Sequence, residues 1–222
     1  MAARPQKGLP MEGLIASWYA RQTARDIEEF RQAARRIAAH LNSRSRVLEI
    51  APGPGYLAIE LARLTGGSVT GVDISRSFVR IADENARKAG VRVGFEHADA
   101  ADLPFADDQF DFIVCRGAFK NFSRPLVALN EMHRVLKRRG SALIIDLRKD
   151  FSPHAVQNYV RGRGLLNAFI IRLIFGTVLK KRAYTKETLT RLVAQSQFGQ
   201  VRFALIRTAS NCGFTNNQSC PR

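Results

Sequence analysis

Short apolar runs alternate with amphipathic stretches over the first two thirds of the chain. The apolar runs have the length of buried strands and lie at residues 47–50, 69–72, 91–95, 111–115 and 141–147. Apolar residues recur at helical spacing in the stretches at 26–41, 57–64, 77–89 and 125–136. Ser75 can cap the third of these helices, and the cations Lys137 to Arg139 are expected to end the fourth. Alternating strands and helices predict a parallel sheet with right-handed crossovers, which is an α/β fold.

The turn after the first apolar run is the strongest candidate for a ligand site. It reads Ala51-Pro52-Gly53-Pro54-Gly55, in which the two glycines let backbone N–H groups approach a ligand closely. The following helix N-terminus suits a carboxylate or a phosphate. Glu49 ends the run before the turn, and Asp73 ends the next run, 18 residues after Gly55. That spacing is close to the one at which a carboxylate receives ribose hydroxyls.

Five segments in order carry a family resemblance over about residues 40–150. They are VLEIAPGPG, GVDIS, DAADLPF, FDFIVC and RVLKRRGSALIID. Together they resemble the class I S-adenosylmethionine (SAM) dependent methyltransferases. The resemblance implies a Rossmann-like, mostly parallel seven-stranded sheet flanked by helices, with a helical lid. The family's last strand is antiparallel, and in this sequence only Cys212-Gly213-Phe214 indicates it.

The resemblance also implies a binding site for SAM and for its product S-adenosylhomocysteine. Asp73 is expected to accept the ribose hydroxyls, Ile74 to pack on adenine, and Asp99 to accept the adenine amino group. Glu49 would face the sulfonium and ammonium cations. Ala51 departs from the pattern, because the family usually has its first glycine there. The whole expected set is Tyr19, Glu49, Ala51, Gly53, Gly55, Asp73, Ile74, Asp99, Ala100 and Arg116.

The segment at 116–122, after the fourth strand, is expected to face the transferred methyl group. It lacks the Asn/Asp-Pro-Pro-aromatic motif of amino-methylating nucleic-acid enzymes. It is similar to the Gly-x-Arg-Asn segment of ubiquinone and menaquinone C-methyltransferases, with Lys120-Asn121 in place of Arg-Asn. The resemblance therefore implies O- or C-methylation of a small, hydrophobic or aromatic acceptor. Candidates for the catalytic group are Asn121, Asp146 and His154, although Asp146 can instead pair with Arg148 or cap the segment after it.

The chain divides into four parts of one domain: an arm with lid helices at 1–42, the SAM-binding core at 43–150, a helical cap at 151–184, and a helix with the sheet edge at 185–222. The helix near Tyr19 either packs on the core edge or closes over the methionine end of SAM. The apolar stretch 165–179 is too short to span a bilayer. We expect it to be a lid helix over the acceptor pocket, and the alternative is a helix on a membrane surface.

Composition leaves two questions about partners open. The net charge of +16 suits an acidic partner, yet acids are interleaved with the basic residues from Arg21 to Arg46. A basic nucleic-acid-binding protein or RNA methyltransferase of the same fold is the alternative function, and the missing amino-methylation motif counts against it.

The missing third glycine counts against a nicotinamide oxidoreductase. Three scattered cysteines suit the cytoplasm, and no His/Cys cluster has metal-ligand spacing. Peripheral membrane contact stays possible, and the sequence specifies no oligomeric state.

Overall fold

The computed structural model describes residues 7, 11–147, 149, 156–157, 160–161, 164–173, 177–178, 180–200, 203–205 and 214–216. Its elements in chain order are α1 (Gly13–Thr23), α2 (Ile27–Ala38), β1 (Arg46–Ile50), α3 (Tyr56–Thr65), β2 (Ser68–Asp73), α4 (Arg76–Ala89), β3 (Gly94–His97), β4 (Phe110–Arg116), α5 (Pro125–Val135), β5 (Leu136–Asp146), α6 (Leu165–Leu173), α7 (Lys180–Arg182), α8 (Lys186–Ala194), β6 (Phe203–Leu205) and β7 (Phe214–Asn216). Single 3-10 turns precede α2 and α5, at Ala24–Asp26 and Phe119–Asn121.

One seven-stranded sheet organises these elements, in the order β3-β2-β1-β4-β5-β7-β6. The strands β1 to β5 pair in parallel, whereas β7 is antiparallel to both β5 and β6. The predicted seven-stranded, mostly parallel sheet is therefore confirmed, including the antiparallel last strand that the sequence marked only weakly. The strand order reverses beside β1, which pairs with β2 on one side and β4 on the other. In open α/β sheets a ligand crevice lies at such a switch point, outside the carboxyl ends of the strands.

Both faces of the sheet are covered, as the near-continuous apolar runs of its central strands require. Neighbouring residues of β1 point to opposite faces, so Val47 packs in one core cluster and Leu48 in the other. On the Val47 face the core continues through Phe30, Ala34 and Ile37 of α2 and Leu57 and Leu61 of α3. On the Leu48 face it continues through Leu129 and Met132 of α5 and Leu189 and Val193 of α8.

The sequence placed two strand boundaries wrongly. The third strand was expected at 91–95 and is found at Gly94–His97. The cations Lys137 to Arg139 were expected to end the helix before the fifth strand, whereas they lie inside β5. The reason is a bulge in β5. Phe110 pairs with Leu136 and Phe112 with Ser141, so β5 has more residues than β4 between these two pairs.

Within the apolar stretch 165–179 the structure describes a helix at Leu165–Leu173 and π-helical residues at Thr177 and Val178. The one sheet takes strands from both the predicted core and the predicted C-terminal part. The division of the chain into four parts stays a prediction. Within the described residues no helix is long and apolar enough to cross a membrane. Cys212, Cys220, His154, most of the arm at 1–10 and much of the cap lie outside the described residues.

Candidate cofactor-binding site

The turn after β1 brings three left-handed residues together at the crevice. Ala51, Gly53 and Gly55 have φ values of 54°, 56° and 79°. A left-handed conformation costs a residue with a Cβ atom about 1–2 kcal/mol. This cost explains why a glycine suits the position of Ala51, where the sequence departs from the family pattern. The departure is therefore a strained alanine in an otherwise unchanged turn.

The two glycines of the turn have different surroundings. A Cβ atom on Gly55 would lie 2.8 Å from Cζ of Phe95 and 2.9 Å from Cβ of Ala82, so this glycine is required by packing. A Cβ atom on Gly53 would meet only the Tyr19 ring, at 4.0 Å. Gly53 is thus the glycine with open space beside its backbone, and Tyr19 stands across that space.

Asp73 holds this turn from the end of β2. Its carboxylate accepts hydrogen bonds from the backbone N–H of Gly53 at 3.0 Å and of Ser75 at 2.9 Å. The side chain is buried, and burial raises the pKa of Asp73 to about 6, although the N–H groups of Ser75 and Gly53 lower it. The predicted ribose acceptor therefore also fixes the geometry of the glycine turn, and a carboxylate keeps lone pairs for a ligand.

Glu49 is the least satisfied carboxylate of the site. It is 2% exposed, and its Oε2 has no hydrogen-bond partner in the part of the chain that the structure describes. Burial raises the pKa of Glu49 to about 8, against the lowering effects of the Ala58 N–H group and the Arg116 guanidinium. A buried carboxyl oxygen without a partner is costly unless a ligand supplies one. The chemistry of this group fits a bound cation.

Arg116 enters the site from the end of β4, and α2 holds it there. Its guanidinium lies 4.1 Å from the Phe30 ring centroid, a cation–π contact, and its Nη2 lies 3.3 Å from Oε2 of Glu29. The sequence analysis did not assign Glu29 or Phe30 to the site. The helical spacing of α2 indicated only that Phe30 packs on the core, and nothing in that pattern connects it to β4.

The N-terminal segment closes over the neighbouring end of β2. The Glu12 carboxylate accepts the N–H groups of Arg76 and Ser77 at 2.9 and 3.0 Å, which caps α4. Burial opposes ionisation of Glu12, but its bonds with Ser77 and Arg76 prevail and lower the pKa of Glu12. The Tyr19 ring packs edge-on against Phe78 of α4, with centroids 5.7 Å apart. The helix packs on the core through α4, and Tyr19 also faces Gly53, so both interpretations of this helix stay predictions.

The expected adenine site lies at the end of β3. Asp99 accepts the Ala101 N–H group at 2.9 Å and forms an ion pair with Arg124 at 2.7 Å. Ala100 is partly buried against the core. Ile74 is half-buried, and its carbonyl lies 3.0 Å from Nε2 of His97. These residues lie together along the carboxyl edge of β2 and β3, as the resemblance implied.

Two of the three catalytic candidates are described, and both have partners. The carboxylate of Asp146 accepts the Lys120 N–H group at 2.8 Å and the Leu147 N–H group at 2.7 Å, and it pairs with Nζ of Lys120 at 2.8 Å. This geometry favours a structural role for Asp146 over the role of a general base. Its partner among the described residues is Lys120, whereas the sequence had suggested Arg148. Asn121 accepts Nη1 of Arg182 at its Oδ1, at 3.3 Å. The third candidate, His154, lies outside the described residues.

The buried pair of Lys120 and Asp146 was missed by the sequence analysis. Both side chains are less than a tenth exposed, at 7% and 9%. Lys120 also donates to the carbonyl oxygen of Gly117. The residues are 26 positions apart, so no local pattern joins them. The only available signal was an apolar strand that ends in an acid, which sequence reasoning had assigned to catalysis.

The structure is an open α/β sheet whose switch point carries a glycine turn and two buried carboxylates. The sequence model of a methyltransferase domain family matches residues 47–140. The chain is similar to that domain over these residues, and the sheet that contains them has the class I SAM-dependent methyltransferase fold.

Named relatives agree with this class. The chain is 37% identical over 117 residues to the demethylmenaquinone methyltransferase of Porphyromonas gingivalis, covering 51% of this chain and 48% of that protein. It is 39% identical over 104 residues to the ubiquinone/menaquinone biosynthesis C-methyltransferase of Blochmanniella pennsylvanica, covering 45% and 41%. The chain thus matches less than half the length of these relatives. The solved SAM-dependent methyltransferase of Aquifex aeolicus shares the fold, with a TM-score of 0.62, 20% identity, and coverage of 83% of this chain and 87% of that one.

Proposed function

We propose that this protein transfers a methyl group from SAM to a small, hydrophobic or aromatic acceptor, at an oxygen or a carbon atom. The observation that carries the proposal is the open oxygen of buried Glu49, next to a glycine turn that Asp73 holds in place. The cytoplasmic location expected from the cysteines stays a prediction.

Each part of the site has a task in this proposal. Glu49 attracts the ligand's cations, and the dipole at the N-terminus of α3 favours its carboxylate. The open side of Gly53 admits the ligand under Tyr19, while Asp73 accepts the ribose hydroxyls. Bound SAM supplies a methyl group on an already activated sulfonium. The remaining task of the chain is to exclude water and to hold the acceptor in line with that methyl group.

The acceptor class is supported by the loop after β4. Phe119 and Phe122 lie there with ring centroids 5.4 Å apart, and Tyr184 lies 5.7 Å from Phe119. Phe119 is buried in the core, whereas Phe122 and Tyr184 are half-buried beside it, and their partly exposed rings suit a flat, apolar acceptor. The curated relatives carry quinone names, and the Lys120-Asn121 sequence resembles their segment. Because Asp146 is already committed to Lys120, we propose Asn121 as the described residue that positions the acceptor.

Calorimetric titration of the purified chain with SAM and with S-adenosylhomocysteine tests the cofactor assignment. We expect binding of both, and we expect Asp73→Ala to weaken it by about 1–3 kcal/mol, the scale of hydrogen bonds to a charged group. Asp83→Ala, which removes a partly exposed carboxylate of α4, is the control and should bind like the original chain. Equal affinity in the two variants would remove Asp73 from the site. A folded protein that binds neither ligand would overturn the proposed function.

A further inference from the structure

The helix α6 turns large apolar side chains outward. Leu165, Phe169 and Leu173 are 94%, 66% and 55% exposed, and their spacing of four residues places them on one face. Ile171 is only 6% exposed, so the helix is anchored on the protein through its other side. Single exposed apolar residues are ordinary, but a continuous stripe of this kind marks an interaction surface. We call these three exposed residues the α6 stripe.

The charge of the chain is concentrated in the part that carries the α6 stripe. Residues 1–150 hold 24 Lys and Arg against 18 Asp and Glu, whereas residues 151–222 hold 11 against one. The net charges of the two parts are therefore +6 and +10. Between Asp150 and Glu187 the sequence has no acidic residue. Exposed cations flank the stripe on both sides along the chain: Arg161, Arg172, Lys180 and Lys181. Such an asymmetry indicates binding to an anionic surface.

We propose that the α6 stripe and these cations bind the surface of an anionic phospholipid bilayer. The apolar stripe enters the boundary between head groups and acyl chains, and the cations meet the phosphates. A helix of nine residues lies in that interface and does not cross it. A surface for single-stranded nucleic acid would instead have several aromatic side chains that stack on bases. Phe169 is the one aromatic residue of α6. A bilayer also requires no shape complementarity, which suits side chains that project singly from a helix.

Flotation of the full chain with lipid vesicles tests the apolar part of this surface. At physiological salt we expect the protein to float with vesicles of phosphatidylcholine and phosphatidylglycerol in equal parts, and to float poorly with phosphatidylcholine alone. Phe169→Asp should lower the partition coefficient roughly tenfold or more, because it removes a buried aromatic group from the lipid. The matched control is Leu64→Asp, at a position on α3 that is 48% exposed. Both variants alter exposed positions, and far-UV circular dichroism checks that each is folded.

Charge reversal tests the electrostatic part. Lys180→Glu with Lys181→Glu should weaken vesicle binding roughly tenfold or more at low salt. Arg138→Glu with Arg139→Glu changes the net charge equally at exposed positions of β5 and should have little effect. The proposal is overturned if the chain does not float, if Phe169→Asp and Leu64→Asp bind alike, or if Phe169→Asp instead turns a dimer into a monomer in sedimentation velocity. Flotation needs no SAM, so its outcome is independent of the proposed methyl transfer.

Discussion

Two buried carboxylates, Glu49 and Asp73, lie at the ends of neighbouring strands in the proposed site. The oxygens of Asp73 are bonded by backbone N–H groups, whereas Glu49 keeps an oxygen without a partner among the described residues. Each acid is harder to ionise because it is buried, and the charge of Asp73 raises the pKa of Glu49 further. A fold tolerates such a cost where a ligand later relieves it, so perturbed acids in a crevice indicate function. Asp73 therefore suits a role in holding the turn, and Glu49 suits a role in binding a cation.

The raised pKa of Glu49 predicts how stability depends on pH. Unfolding returns this acid to its ordinary pKa of 4.5 from a folded value of about 8. Between these values the unfolded state releases a proton that the folded state keeps, so the acid destabilises the fold increasingly as pH rises. Glu49→Gln should therefore stabilise the ligand-free protein, on the order of 2–3 kcal/mol at neutral pH. Below the ordinary pKa the gain should vanish.

Urea denaturation of the two proteins across this pH range measures the effect. Glu96→Gln alters an exposed glutamate of β3 and is the control, for which no comparable gain is expected. The same Glu49→Gln variant should lose affinity for SAM, because the neutral amide no longer attracts a cation. A variant that is less stable than the original chain throughout would show that Glu49 is ionised and internally paired in the folded protein.

At the scale of elements, two long-range contacts join segments beside the crevice. Glu12 joins α1 to the start of α4, 65 positions away along the chain. Lys120 joins the loop after β4 to the end of β5. Each contact uses a charged side chain to satisfy backbone N–H groups that an element boundary leaves free. The positions of α1 and of the loop after β4 therefore depend on single carboxylates.

The Lys120–Asp146 pair predicts an unequal response to the loss of two cations. Lys120→Met leaves a buried carboxylate uncompensated, and we expect the free energy of unfolding to fall by about 3–5 kcal/mol. Arg124→Met breaks a pair of similar length whose side chains are 46% and 22% exposed, and it should cost less than about 1 kcal/mol. Urea denaturation compares the two variants. Equal losses would mean that Lys120 contributes no more than a surface cation.

The sequence predicted those elements whose signals are local. The cap at Ser75, the glycine turn and the acid at the end of β2 each depend on residues within one turn of the chain, and all were found as expected. The cations from Lys137 to Arg139 were misassigned because helix-end preference favours them, while pairing with β4 draws them into β5. Lys137 itself pairs with Asp111, at 2.8 Å. Tertiary pairing overrode a weak local preference, and only the structure records that pairing.

In the candidate site, too, the sequence predicted residues that belong to a local motif and missed contacts between distant elements. The resemblance supplied Glu49, Asp73 and Asp99, whose spacing along the chain is regular. It did not supply Glu29, Phe30 or the pairing of Lys120 with Asp146, because these contacts join elements that are distant in sequence. Reassigning Asp146 from catalysis to bracing likewise required the distance to Lys120.

At the scale of the whole molecule, charge follows the division between the core and the part after it. Nearly all acids belong to residues 1–150, where the described structure pairs many of them with arginine, as in the contacts of Arg134 with Asp107 and Glu131 at 2.8 and 2.7 Å. Most of the excess positive charge, +10 of +16, lies beyond the core. A surface of this kind binds any polyanion by releasing counterions, whatever the enzyme methylates. Binding to RNA alone is therefore poor evidence for an RNA substrate.

The last prediction separates that binding from catalysis. We expect the chain to bind total RNA at low salt, and the affinity to fall steeply at physiological salt because the contacts are to phosphates. With tritiated SAM at physiological salt, label should enter members of a panel of small quinones and phenols and not RNA or DNA. The reason is that the segment after β4 lacks the groups that hold an exocyclic amine. Asp73→Ala should reduce the labelling of small molecules while leaving low-salt RNA binding unchanged, which distinguishes the crevice from the basic surface. Label in a defined nucleic-acid site, with none in the small molecules, would instead establish the alternative function.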